Sequence, residues 1–373
     1  MLFINPIEIL ELQQSDIASI DDTAIKKAKK KLIAEIELSD DGQFNYKGHK
    51  LTKSDCEKAI AELNNVDRKE YFYHLATSNQ LLNNYLAIGD EKLFSAFKQE
   101  GIYKLPDFIN FVSPYFAYNF GRSLLKAIKN NNQSLVSSIL RTQSLIKATE
   151  INIAFKSISI EIQNRILEVD RIRKEIKEEE SAYTSVSVKE TLEIIKKYFP
   201  VDIINSLPTY FQSQINKIAS SINYLQLAIW DVYDNSQVSH DLLEYTLKLN
   251  IESVDKPTFE KNFEIIKRRN DERIEQEKNA PVLKRWASVL IQIKTATTKV
   301  EAKTLTPKEA VANVTASCNV SELNSLPPFA NEIRNQIGYS LRSLSISSWN
   351  EQNDIASALQ LIKLALLINV YTH

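Results

Sequence analysis

Residues 187–251 read SVKETLEIIKKYFPVDIINSLPTYFQSQINKIASSINYLQLAIWDVYDNSQVSHDLLEYTLKLNI. Residues 306–370 read TPKEAVANVTASCNVSELNSLPPFANEIRNQIGYSLRSLSISSWNEQNDIASALQLIKLALLINV. The two lie over each other without a gap. Lys189-Glu190 meets Lys308-Glu309, Asn205-Ser206-Leu207-Pro208 meets Asn324-Ser325-Leu326-Pro327, and Trp230 meets Trp349. Apolar positions agree as well: Ile218 with Ile337, Ile222 with Leu341, Leu225 with Leu344, Leu242 with Leu361 and Leu247 with Leu366. One helical hairpin cannot bury its apolar face alone, so a duplication of this kind predicts neighbours that stack and share a core. In each copy the Asn-Ser-Leu-Pro break should start a tryptophan-bearing helix. A polar turn (Asp234-Asn235 or Asn353-Asp354) should end it, and a leucine-rich helix should return. The sequence closes at His373 with no further helix to cap the second copy, an end expected to be covered by a partner or by more chain. The two tryptophans are expected to anchor packing; lining a ligand site is the other reading.

A charged stretch lies upstream of each copy, a candidate part of the repeated unit. Residues 151–182 include KSISIEIQNRILEVDRIRKEIKEEESA, where Ile158, Ile162, Ile166, Val169, Ile172 and Ile176 recur every three or four residues. That spacing predicts a long helix with one apolar stripe. A second charged helix is expected from Thr258 to Lys278. Its Lys267-Arg268-Arg269 run is surrounded by acids and makes no nucleic-acid stripe.

Composition agrees with a helical chain. Only six of the 373 residues are glycine. Glycine costs about 1 kcal/mol against alanine inside a helix, so its scarcity favours helices. Glycines so scattered also build neither a Walker loop nor a GxGxxG turn. Lys and Arg total 46 against 47 Asp and Glu, so no global field draws the chain to nucleic acid or an anionic membrane. Cys56 and Cys318 form no framework or metal pattern, which fits a reducing cytoplasm. The N-terminus lacks a basic n-region, so no signal peptide is expected. The run Ala358 to Val370, interrupted by Lys363, is too short to span a bilayer.

The first segment, residues 5–64, is a unit of its own. Asn5-Pro6 opens a short helix, with Ile7, Leu10 and Leu12 on its apolar side. Asp21 or Asp22 caps a second helix whose apolar positions are Ile25, Ala28, Leu32, Ile33 and Ile36. Lys26, Lys27, Lys29, Lys30 and Lys31 fill the positions between. GQFNYKGHKL then alternates around Lys47-Gly48, a hairpin signal. Ser54 and Glu57 read as a capping box for a third helix through Cys56, Ala59, Ile60 and Leu63. Asn5-Pro6, Ile9-Leu10, Leu12, AIKKAKKKL (24–32) and KAIAEL (58–63) together resemble a degenerate J domain of the DnaJ family. In that family a His-Pro-Asp loop joins the second and third helices and contacts a heat-shock ATPase. Here Ser39-Asp40-Asp41-Gly42 and the hairpin stand in its place, and no Pro-Asp follows His49. The resemblance implies that the lysine helix docks on a protein partner. On residue chemistry alone, the lysines also read as a solvated face.

Residues 65–150 read as consecutive short helices. A pair should join at Gly89-Asp90, and Pro106 and Pro114 should mark helix starts. Their dense aromatics, among them Phe108, Phe111, Tyr115, Phe116 and Phe120, read as core or as a peptide groove. In the second copy, LRSLSISSWNEQNDIASALQLIKLALLI resembles a tetratricopeptide hairpin, with Trp349, Ala358 and Ala365 where large and small residues alternate.

The expected fold is therefore all-α: a J-like N-terminal domain with a small β-hairpin, then stacked helical hairpins in a solenoid-like body containing a duplicated unit. Its expected segments are 1–66, 67–150, 151–251 and 252–373. No chemistry is legible. His49 lies near a turn, His74 on an aromatic helix, His240 at a helix start and His373 at the terminus; none stands at metal spacing from a Cys, Asp or Glu. No Ser or Cys sits in a nucleophile context. Asp40-Asp41 reads as a turn acid capping its own backbone, or as a loop cation site. No catalytic residue, cofactor or metal is expected, nor nucleic-acid binding or membrane insertion. The expected function is a non-catalytic cytoplasmic adaptor or scaffold, with partner-binding residues Lys26, Lys27, Lys29, Lys30 and Lys31. The alternatives are an atypical co-chaperone of a heat-shock ATPase, and a regulatory subunit of a bacterial cytoplasmic assembly such as a defence system.

Overall fold

The computed structural model describes residues 2–178 and 185–369. The distal end of the first charged stretch (179–182), Val370 and His373 lie outside the described residues. Apart from one two-stranded ribbon, the described residues are all-α, with helices packed on helices. It divides into two compact units, one up to Ile266 and one from Lys267. Among the described residues no helix is long and apolar enough to cross a membrane.

In the first unit one continuous core runs from Phe3 to Phe259. The segments 1–66, 67–150 and 151–251 all feed it. Asn5 caps Pro6–Ile9 by accepting from the Ile7 N–H. Asp21 caps Asp22–Leu38 through the Ala24 N–H. The ribbon pairs Gln43–Tyr46 with His49–Thr52 and turns at Lys47-Gly48, both at positive φ, as a tight two-residue hairpin requires. The capping box falls two residues earlier than the sequence suggests. Thr52 and Asp55 exchange the bonds, not Ser54 and Glu57, because the strand delivers Thr52 in extended geometry directly onto Lys53–Ala61.

The aromatic segment is core. Phe108, Phe116 and Phe120 have no exposed surface, and Phe108 and Phe111 meet Tyr71 edge to face and tilted. Gly89, in left-handed geometry, does end a helix, Gln80–Ile88. Pro106 starts Pro106–Lys129 as expected, but Pro114 lies inside that helix and starts nothing. An interior proline costs about 3 kcal/mol. The uninterrupted burial of Phe108, Val112, Phe116 and Phe120 along one face outweighs it. Beyond Pro114 this helix packs against Ile151–Glu178, whose Ile158, Ile162, Ile166, Val169, Ile172 and Ile176 are all buried in one stripe.

The duplication is realised element by element. Val201–Ser206, Gln212–Tyr233 and Ser236–Leu247 match Val320–Ser325, Asn331–Gln352 and Ile355–Leu366. Asp234 (φ 48°) and Asn353 (φ 54°) end the long helices in the same left-handed conformation. Asn235 and Asp354 then cap the return helices. Asn205 Nδ2 donates to the Lys248 carbonyl at 2.8 Å, and Asn324 Nδ2 to the Leu367 carbonyl at 2.8 Å. The helices of each hairpin are also tied at one crossing point, with the donor exchanged. Ser239 Oγ donates to the Gln226 carbonyl in the first copy, and Ser345 Oγ to the Ala358 carbonyl in the second.

The second charged helix differs from its expectation. It runs Lys256–Glu301, through Pro281. The side chains it gives to the second unit's core are Trp286, Val289, Leu290, Ile293, Ala296 and Val300, all beyond Lys278. Trp286 is fully buried, whereas Trp349 is 57% exposed.

Two substitutions test the first unit. A Cβ at Gly121 would stand 2.5 Å from the Ala154 carbonyl oxygen, a backbone atom that cannot swing aside. Overpacking costs about 1–3 kcal/mol, and alanine returns about 1 kcal/mol of helix propensity. Gly121→Ala should therefore lose about 1 kcal/mol net in urea unfolding; an unchanged midpoint would mean that the helices do not meet backbone to backbone. Gln226 is fully buried, and neither its Oε1 nor its Nε2 has a partner among the described residues. An unpaired buried amide costs about 1–3 kcal/mol. Gln226→Met, which keeps the length and removes the polar atoms, should raise the urea midpoint at constant m.

Candidate functional site

The lysine helix Asp22–Leu38 is fixed by Leu32 and Ile36, which are buried against the first core. The five lysines do not form one patch. Lys26, Lys29 and Lys30 line a shallow groove with Ile33, Ala34, Glu37, Lys53 and Glu57. Lys27 and Lys31 lie one turn apart on a different side, where Lys31 Nζ meets Glu11 Oε2 at 2.5 Å. Lys29 Nζ pairs with Glu57 at 3.2 Å. Lys53 Nζ pairs with Glu37 at 2.7 Å across the groove. Lys26, Lys27 and Lys30 are exposed and carry no ion pair among the described residues. These three are the cations available to a partner.

The turn after this helix is closed on itself. Ser39 Oγ donates to the Ile36 carbonyl at 2.8 Å and accepts from the Gln43 N–H at 3.0 Å. Asp41 pairs with Lys50 at 2.7 Å and accepts from the Gln43 N–H, and the Lys50 contact holds its carboxyl below the usual range. The acid thus serves the ribbon, as a turn acid does.

Asn5 anchors the segment. It is fully buried; its Nδ2 donates to the Phe72 carbonyl and to Asn83 Oδ1, each at 2.9 Å. Tyr46, on the ribbon, donates to Glu8 Oε2 at 2.5 Å, and Lys47 Nζ reaches the same oxygen at 2.9 Å. Burial, then the Glu8 charge, raises the Tyr46 hydroxyl far above its ordinary pKa, so it stays a donor. The opening helix, the ribbon and the helices Val66–Thr77 and Gln80–Ile88 are thereby locked behind the lysine helix.

His240 departs from its sequence reading. Its Nδ1 lies 3.1 Å from Asp241 Oδ1, and with Glu244 the three ligand atoms fall within 4.8 Å of one another. His240 and Glu244 are four apart on Ser236–Leu247, a spacing the sequence did display. The acids already have other uses: Asp241 accepts from Gln237 at 3.0 Å, and Glu244 pairs with Lys248 at 3.3 Å. His49 sits in the ribbon opposite Tyr46. His74 lies 3.4 Å from Glu100, without hydrogen-bond alignment. Arg334 carried no sequence signal at all. It is buried where the first copy has Ile215, and donates to the Leu323 and Leu326 carbonyls and to Asn331. Those bonds satisfy the carbonyl end of Val320–Ser325.

Both thiols are buried, and burial pushes each up to about 11; Asp55 and Glu57 add to the effect at Cys56. At pH 8 the thiolate fraction is then about one in a thousand. An aromatic disulfide reagent should find almost no reactive thiol in the folded chain at pH 8, and both in denaturant; rapid labelling of either folded thiol would contradict the packing. Comparison of the chain with protein-family models, curated proteins and solved structures returns no match.

Proposed function

We propose that the chain is a non-catalytic adaptor whose N-terminal segment is a degenerate J-like docking block on a stacked-helix body. The observation that carries this reading is the set of exposed cations Lys26, Lys27 and Lys30, on a helix whose other side is held in the core. A rigid helix presenting uncommitted cations suits an acidic protein surface, where charge sets encounter rate and orientation more than raw affinity. The self-contained turn Ser39–Gly42 supports docking without stimulation of a chaperone. Its acid is committed to Lys50, and it offers neither an imidazole nor a Pro-Asp pair to an ATPase.

Two measurements test this. Steady-state ATP hydrolysis by a heat-shock ATPase chaperone should be unchanged by the added protein; stimulation would favour the co-chaperone reading. Affinity capture from the native host, read by mass spectrometry, should return a stoichiometric protein partner. The triple charge reversal of Lys26, Lys27 and Lys30 to Glu should cut its recovery at least about tenfold, equivalent to about 1.4 kcal/mol. Equal recovery would remove the lysine helix from the interface.

A further inference from the structure

In the first copy the outer face of the hairpin is covered. The covering element is the opening of the helix Lys256–Glu301. Asn262 Nδ2 donates to Asn223 Oδ1 at 3.1 Å, the Phe263 ring lies 5.1 Å from His240, and Phe259 and Ile266 are buried. Phe259, Asn262, Phe263 and Ile266 are spaced i, i+3, i+4 and i+7, one side of a helix. Asn223, which Asn262 meets, is nearly buried, and Leu243 on the return helix is fully so.

In the second copy Asn223, His240 and Leu243 become Arg342, Leu359 and Ile362. The face has grown more apolar, yet among the described residues nothing covers it. Trp349 is 57% exposed, Leu359 52% and Leu366 77%, with Ile355 and Ile346 exposed beside them. Ile355, Leu359, Ile362 and Leu366 form a stripe at spacings of four, three and four on the return helix. Scattered exposed apolar residues are ordinary, but a contiguous stripe flanked by a tryptophan marks an interaction surface.

We propose that the outer face of the second hairpin receives an amphipathic α-helix from a partner protein, seated as Lys256–Ile266 is seated on the first. The duplication identifies the occupant, because the same hairpin in the same chain binds such a helix on the same positions. The substitutions refine it. Where the first copy pairs two amides, the second presents Arg342, exposed and without an ion pair among the described residues. The incoming helix therefore carries apolar side chains at i, i+4 and i+7 and a carboxylate at i+3. Helices dock in grooves through anchors at this spacing. This surface is separate from the lysine helix and does not depend on its role.

The test uses the full chain and a labelled synthetic peptide of residues 256–270 carrying Asn262→Glu, followed by fluorescence anisotropy. Saturable one-to-one binding is expected, at least about fivefold tighter than for the same peptide carrying Asn262→Lys. Arg342→Glu in the full chain should reverse that preference. Leu359→Glu, at an exposed position, should weaken binding at least about tenfold with an unchanged circular dichroism spectrum. Reversing Lys26, Lys27 and Lys30 should leave binding intact, which separates this proposal from the lysine-helix reading. Absence of saturable binding would overturn it, as would binding indifferent to both Arg342→Glu and Leu359→Glu. So would a dimer in sedimentation equilibrium that Leu359→Glu dissolves, because the occupant would then be a second copy of this chain.

Discussion

Each copy of the duplicated unit is closed by one asparagine. Asn205 sits at the break before the long helix. Its amide nitrogen donates to the Lys248 carbonyl, and its oxygen accepts from the Asn250 N–H, both at 2.8 Å. Asn324 does the same with the Leu367 carbonyl and the Asn369 N–H, at 2.8 and 2.9 Å. The last carbonyls of a helix have no partner inside it. Here one side chain supplies that partner and, in the same act, ties the unit's entry to its exit. With both ends fixed, the long helix and the return helix have one way to face each other. The serine at their crossing and the apolar layer of Ile222, Leu225 and Leu242, or Leu341, Leu344 and Leu361, follow from it.

Much of this was legible before any coordinates. The ungapped alignment located the break, the long helix, the polar turn and the return helix of both copies, because caps and breaks are local devices that side-chain type announces. The ribbon turn at Lys47-Gly48 was legible for the same reason. What failed was whatever tertiary burial decides. Pro114 read as a helix start, but burial along one face carries the helix through it. The paired tryptophans read as equivalent, since alignment matches residues and not what lies above them. Trp349 is open, and the fully buried tryptophan is Trp286, outside the copies.

The candidate site shows the same division. That five lysines crowd one helix is plain in the sequence. Which of them are free is not, because the answer rests on Glu11 and Glu57, which belong to other elements. Asn5 was legible as a cap. Its second role, bridging Phe72 and Asn83 from inside the core, depends on residues far along the chain. The His240, Asp241 and Glu244 grouping lay within reach of helical spacing alone, and its neighbours Gln237 and Lys248 account for the acids.

The meeting of Gly121 with Ala154 bears on motion. A packed pair of helices can slide by ratcheting one turn, a step of about 5.4 Å. Such a step along Pro106–Lys129 would bring Ala117 or Leu125 opposite the Ala154 carbonyl, and each brings a Cβ into a gap that admits none. This seam has a single permitted register. Whatever the first unit does in response to a bound molecule, it carries these two helices as one rigid body.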